Sequence, residues 1–423
     1  MKIDLSRYLY VDLSKFYLLD KQSVVNGLFY TGMFIAFLTT LRPWFLWSLY
    51  PVYTILVSLI LFAAMLVDKT SQKSSAFCRT DFLIPLLAYL VLSYYQQIVN
   101  MQNAFGYVIN LFHAFIFYSL FRYDTARLKS MTTWFSKIMG AMLIPSLLAF
   151  FLYLVNIPLP NSNTQFGDNF YTFSNYYFFL IDDGQLFSFF PRFQSVFPEP
   201  LYLGSTCALL LMTQRGKWKK WYNIVMLVAL LFSFSLSAYV YITAIVFLNL
   251  WIKRKKIVAK AIAVVLLIGS VIGGSFFYNQ GDNLIHNLIV LRLEISDGEM
   301  EGNNRVTKDF DAEFESFLES SDILFGREKD NTFGDSGYKV FIFDYGFVGL
   351  FLLIAFFFSA FYKAPDKRAM TAALFICFLI FLVDAFVLWY GRFLPLYSTA
   401  YGETTDDQMA VSSSKQKERH TQT

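Results

Sequence analysis

The stretch Tyr338-Lys-Val-Phe-Ile-Phe-Asp-Tyr-Gly-Phe-Val-Gly-Leu-Phe-Leu-Leu-Ile-Ala-Phe-Phe-Phe-Ser-Ala-Phe-Tyr362 holds only two charged side chains, Lys339 and Asp344. An apolar run of this kind matches the roughly 17–25 residues an α-helix needs to cross the hydrocarbon core of a bilayer. Lipid offers no water to backbone N–H and C=O groups, so the segment must pair them internally, as a helix does. Working outward, further apolar segments run at 24–41, 43–67, 82–99, 104–121, 133–157, 196–213, 221–236, 237–252, 257–277 and 369–390. The expected class is all-α, a polytopic membrane protein of about 11–12 transmembrane helices. Composition agrees: the 423 residues are 56% hydrophobic and 16% charged, with more Phe (49) and Tyr (27) than a soluble core of this size would hide. Tyr and Trp near many segment ends fit the aromatic belts at membrane surfaces.

Basic residues fall in alternate connections. Lys69, Lys73 and Arg79; Arg122, Arg127 and Lys129; Arg215, Lys217, Lys219 and Lys220; Lys253, Arg254, Lys255 and Lys256; and Lys363, Lys367 and Arg368 all lie on one side. The positive-inside rule makes that side cytoplasmic, together with the N-terminus. The mixed charges of Met1 to Gln22 do not read as a cleaved signal, so the first apolar segment is expected to stay as a span. Eleven crossings leave the tail outside, whereas Lys415, Lys417 and Arg419 favour the cytoplasm. A short twelfth segment near 385–400, broken from the eleventh at Asp384 or Gly391, would reconcile the two. Residues 1–400 are read as a single integral membrane domain, and 401–423 as a polar tail expected to be disordered.

Two outward loops are long, about 158–195 and about 278–337; long connections often carry function. In the second, Phe310, Phe314, Phe317 and Leu318 recur at helical spacing, with Asp311, Glu313, Glu315 and Glu319 on the other faces and Asn304 as an N-cap. This predicts an amphipathic helix across the membrane mouth. Cys78, Cys207 and Cys377 avoid the long loops, so no disulfide framework is expected. His113, His286 and His420 lie far apart, and neither a metal-ligand spacing nor a nucleotide fingerprint occurs. No cofactor, metal or nucleic-acid partner is expected.

Arg192 is the only Lys or Arg in the first long loop, and Arg292, Arg305 and Arg327 stand out among the acids of the second. A guanidinium presents a planar fork matched to phosphate oxygens, so these four are candidates to bind a diphosphate; pairing with loop acids is the plainer alternative. Glu199 sits between Pro198 and Pro200 at the start of a span. A carboxylate there stabilises the helix dipole, orients Arg192 or binds sugar hydroxyls. Asp335, beside Ser336 and Gly337, is the candidate base, with helix capping as its structural alternative. Asp344, Asp384 and His113 are ionisable groups inside spans, costly unless they serve a purpose. For His113, hydrogen-bonded packing is the favoured reading. Gly346 and Gly349 are expected to allow close helix approach.

Arg192-Phe-Gln-Ser-Val-Phe-Pro-Glu-Pro200 resembles the arginine followed by Phe-x-x-Pro at a helix start in the bacterial O-antigen ligase and polysaccharide polymerase (Wzy-like) superfamily. Asn304-Arg305, Leu324-Phe-Gly326, Asp335-Ser-Gly-Tyr338 and Asp344-Tyr-Gly-Phe-Val-Gly349 follow in the order of that family's later motifs. The motifs cover most of 190–350, and the remaining chain is similar in topology alone. The resemblance implies a metal-independent, inverting glycosyl transfer from an undecaprenyl-diphosphate-linked glycan at the outer face of the bacterial cytoplasmic membrane. It makes Arg192 and Arg305 diphosphate ligands and Asp335 the group that activates the acceptor, with a chain-length regulator among possible partners. Two positions depart from the pattern. Ser237-Ala-Tyr239 stands where the family often has Ser-Arg, and Asp335 stands where ligases commonly have His followed by Asn. The second departure favours polymerase over ligase. The expected function is therefore polymerisation of lipid-linked repeat units of capsule, exopolysaccharide or O-antigen, with an O-antigen ligase or a lipid-linked oligosaccharide flippase as rivals. A flippase would carry charge along a crossing cavity and often an internal repeat.

Overall fold

The computed structural model describes residues 21–49, 52–71, 82–100, 104–122, 125–166, 171–185, 190–253, 257–283, 285–291, 295–296, 299–300, 308–327 and 337–402. Arg292, Arg305, Asp335, the N-cap Asn304 and the tail from 403 onward lie outside the described residues.

The chain is built from apolar helices. They are α1 (Lys21–Thr40), α2 (Val52–Ser71), α3 (Leu83–Val99), α4 (Ala104–Arg122), α5 (Thr125–Leu154), α6 (Pro200–Thr213), α7 (Trp221–Phe232), α8 (Leu236–Lys253), α9 (Ile257–Phe277), α11 (Gly337–Phe361), α12 (Lys367–Val383) and α13 (Tyr390–Tyr401). The amphipathic α10 (Lys308–Leu318) lies between α9 and α11. Among the described residues, four helices are long and apolar enough to cross a membrane: Gln22–Thr40, Ala104–Arg122, Ala126–Leu154 and Gly337–Phe361. The class is that of an all-α membrane protein. Buried aromatics such as Phe37, Phe117, Phe135, Phe193 and Phe197 fill the interior. Apolar side chains such as Phe351 (69% exposed) and Val258 (72%) face outward, as lipid-facing surfaces require.

Two elements differ from the expected layout. Residues 43–67 do not form one helix. Arg42 ends α1 with φ 52°, a 3-10 turn follows at Trp44–Leu49, and α2 starts at Val52. Pro43 explains the break, because a proline inside a helix removes a donor and clashes with the preceding turn. The loop near 158–195 is partly a sheet: β1 (Ser162–Phe166), β2 (Tyr171–Asn175) and β3 (Leu180–Asp182) pair antiparallel in that order. By contrast, a short helix does occur near 385–400, as α13. Its Gly391 N–H donates to Thr40 Oγ1 at the end of α1 (2.8 Å), and its Thr399 carbonyl accepts from Arg215 beyond the end of α6 (2.7 Å). It therefore runs through the bundle away from the α1–α2 turn.

Helices α6, α7 and α13 have only 14, 12 and 12 residues. At 1.5 Å per residue, each is roughly 18–21 Å long, short of a bilayer core of about 30 Å. Before α6, an irregular segment buried from Phe193 to Pro198 extends the path inside the protein, the condition for non-helical backbone at membrane depth. The segment before α6 is stitched to three others. Phe193 N–H donates to the Phe232 carbonyl (2.9 Å), Leu180 N–H to that of Ser195 (2.8 Å) and Trp44 N–H to that of Val196 (3.0 Å).

Candidate functional site

A cavity of about 580 Å³ opens where α1 ends and α6, α11 and α13 begin. Its lining includes Arg42, Trp47, Gln97, Asn110, His113, Glu199, Tyr202, Asp344, Tyr345, Asp384, Trp389 and Tyr390. The volume falls within the roughly 300–1,000 Å³ common for ligand sites.

Each wall has a local cause. Glu199 is the residue before α6, in extended backbone (φ −142°, ψ 148°), and Pro200 opens the helix without losing a needed donor. Its side chain makes no capping hydrogen bond, so the simplest structural role does not hold it. Asp384 ends α12, and its Oδ1 accepts from Phe386 N–H (2.9 Å), which turns the chain before α13. The other oxygen of Asp384 pairs with Arg392, and both side chains are buried. Arg392 lies over the rings of Trp389 (5.5 Å) and Tyr202 (5.6 Å) and donates to the Phe386 carbonyl (3.2 Å). Arg42 lies over Trp389 (4.6 Å) and Phe166 (5.5 Å). Glu199, Arg42, Asp384 and Arg392 all act electrostatically on the Tyr202 hydroxyl, and all but Arg392 line the cavity with it. Deeper in, His113 Nδ1 and the Tyr390 hydroxyl are 2.8 Å apart.

Helix α11 closes one side. Gly337, Val340, Phe341, Asp344 and Tyr345, spaced by three and four, line the cavity. Val340, Ile342 and Phe343 pack against Phe310, Phe314 and Phe317 of α10. The amphipathic helix thus roofs the first half of α11, although Leu318 is 41% exposed and lies off its buried face. At Gly346 the helix breaks (φ 61°, ψ −173°). The carbonyls there find partners from elsewhere: that of Phe343 accepts from Arg327 N–H (2.8 Å), and that of Tyr345 from the Tyr95 hydroxyl (2.9 Å). Gly326 (φ 86°) packs into the break, where an added Cβ would stand 2.3 Å from the Asp344 carbonyl oxygen. The Leu324-Phe-Gly326 and Gly346-x-x-Gly349 motifs therefore meet as one structural unit.

The predicted residues separate. Glu199 lines the cavity, as do Asp344, Asp384 and His113. Arg192 is half-buried outside the cavity lining, within electrostatic reach of Tyr239. Arg327 is held by Asp322 (2.9 Å) and Ser320 (3.0 Å) and lies over Phe317 and Phe343, so it fastens the α10–α11 junction. Sequence reasoning missed Arg42, Arg392 and Tyr202. Arg42 had a readable signal, a charge beside Pro43 between two apolar runs. Among the described residues no three His, Cys, Asp or Glu side chains converge as metal ligands do.

No family model, curated protein or solved structure matches this chain.

Proposed function

We propose that the protein is a polymerase of lipid-linked oligosaccharide repeat units, an inverting glycosyltransferase with a polyprenyl-diphosphate-linked donor. The observation that carries this reading is the convergence of Glu199 and Arg42, from distant parts of the chain, on one cavity inside an apolar helix bundle. A substrate joining sugar hydroxyls to a lipid phosphate needs both charges and a membrane-embedded site.

In the proposed reaction the acceptor sugar hydroxyl oxygen attacks the anomeric carbon of the donor glycan. The new C–O bond forms as the bond to the diphosphate breaks, and the bonding electrons leave with the diphosphate. The hydroxyl proton passes to a carboxylate, Glu199 or Asp335, acting as general base. Arginine donors offset the charge developing on the leaving group. Arg192 and Arg305 remain the ligands suggested by motif order, while Asp335 precedes by two positions Gly337, which lines the cavity. The basic loops support an orientation with a cytoplasmic N-terminus and the cavity facing outward. With α13 as a twelfth crossing, its end at Tyr401 would face the cytoplasm, the side that Lys415, Lys417 and Arg419 favour by charge. Confinement of donor and acceptor to one membrane face raises their effective concentration.

Glu199→Gln and Asp335→Asn test the base. Each removes a proton acceptor with almost no change in volume. The variant lacking the base should accumulate single lipid-linked units, with polymer falling at least tenfold and membrane levels unchanged. Normal polymer length in both variants would remove the carboxylate step.

A further inference from the structure

Arg42 combines three features that a spacer between two helices does not need. It occupies left-handed backbone, φ 52°, at the end of α1, where helices commonly place glycine. A non-glycine residue held there costs on the order of 1–3 kcal/mol, a form of strain that concentrates at functional positions. Its guanidinium lies over Trp389 at 4.6 Å and Phe166 at 5.5 Å. Stacking of this kind occupies the faces of the group and leaves its N–H edges available to a planar acceptor. Finally, it differs from other described arginines in its pairing. Arg215 holds Asp366, Arg327 holds Asp322 and Arg392 holds Asp384. Among the described residues, no carboxylate forms an ion pair with Arg42. The side chain is exposed at the mouth of the cavity.

We infer that Arg42 is a preorganised oxyanion site that grips a phosphoryl group entering the cavity, with Trp389 and Phe166 as its clamp. The proposal rests on the transferase reading only for the identity of the molecule that bears the phosphate. The Asp384 carboxylate at the same end is offset by Arg392, so it opposes an incoming anion less than a bare charge would. Glu199 lines the same cavity, on the side where α6 begins.

The experiment is calorimetry on the full chain in detergent, with inorganic pyrophosphate in one arm and farnesyl diphosphate in the other. Arg42→Gly is the informative variant, because glycine suits the backbone there and the unfolding temperature should not fall. Binding of both probes is expected to weaken at least tenfold in Arg42→Gly. Arg42→Lys, which keeps the charge without the planar fork, should fall between. Arg368→Ala, over Trp251 at the far end of α8, should bind as the unaltered chain does. Tighter binding of farnesyl diphosphate than of pyrophosphate would assign the phosphate to a lipid; equal binding would assign it to a free phosphate. Equal affinities for the unaltered chain and Arg42→Gly, or no binding of either probe to the unaltered chain, would overturn the inference. Polymer assays separate this proposal from the transferase reading. Lost binding with normal polymer leaves the anion site standing and refutes its part in transfer, whereas lost polymer with intact binding does the reverse.

Discussion

At the residue scale, the Arg392–Asp384 pair sets the conditions around the cavity. Both side chains are under 10% exposed and lie within an apolar bundle, where an isolated charge is costly. Removing one partner leaves the other buried and uncompensated, a loss of roughly 3–5 kcal/mol in known cases, whereas replacing both with apolar side chains is often neutral. Arg392→Leu should therefore lower the unfolding temperature sharply in detergent, and Arg392→Met combined with Asp384→Leu should recover most of it. Equal losses in the single and double variants would mean that the pair contributes through shape rather than charge. Asp384 was readable in the sequence as an ionisable group in an apolar run, and Glu199 from its flanking prolines. Arg392 was not, because its role depends on Trp389 and Tyr202, whose meeting no local pattern signals. Arg42 showed a charge beside Pro43, but its ring partners Trp389 and Phe166 lie far away in the chain.

At the element scale, the broken helix α11 links the two long connections to the cavity. Its backbone at Gly346 lies in a region essentially restricted to glycine. A Cβ there would come within 2.3 Å of the Leu324 carbonyl oxygen. Gly346→Ala and Gly326→Ala should each destabilise the roof by about 3 kcal/mol or more, from backbone strain plus steric overlap. Because both act on one contact, the double variant should cost less than the sum. Protease sensitivity around residues 319–327 would report it, and full additivity would show that the two glycines act separately. The periodicity of Phe310, Phe314 and Phe317 predicted α10 correctly because three-and-four spacing is a local signal. The break in α11 was not legible, since its apolar run continues through it. The β1–β3 sheet was hidden by the polar and small residues of its strands, whose pairing depends on contacts such as Asn175 with Thr164.

At the scale of the whole molecule, apolar helices enclose a cavity near one end of the bundle, and a surface helix covers the segment that forms one wall. Apolar run lengths made most of this visible in sequence. They failed where a short helix borrows an irregular buried segment to complete its path, as at α6. The central claim is that this assembly joins glycan units rather than moving them. The most direct measurement reconstitutes the full chain alone in liposomes with polyprenyl-diphosphate-linked repeat units and follows the size of the lipid-linked glycan. The account predicts products of two or more units, with one polyprenyl diphosphate released for every bond formed. Units that reach the opposite leaflet unchanged in size, with no diphosphate released, would contradict it and make the protein a transporter.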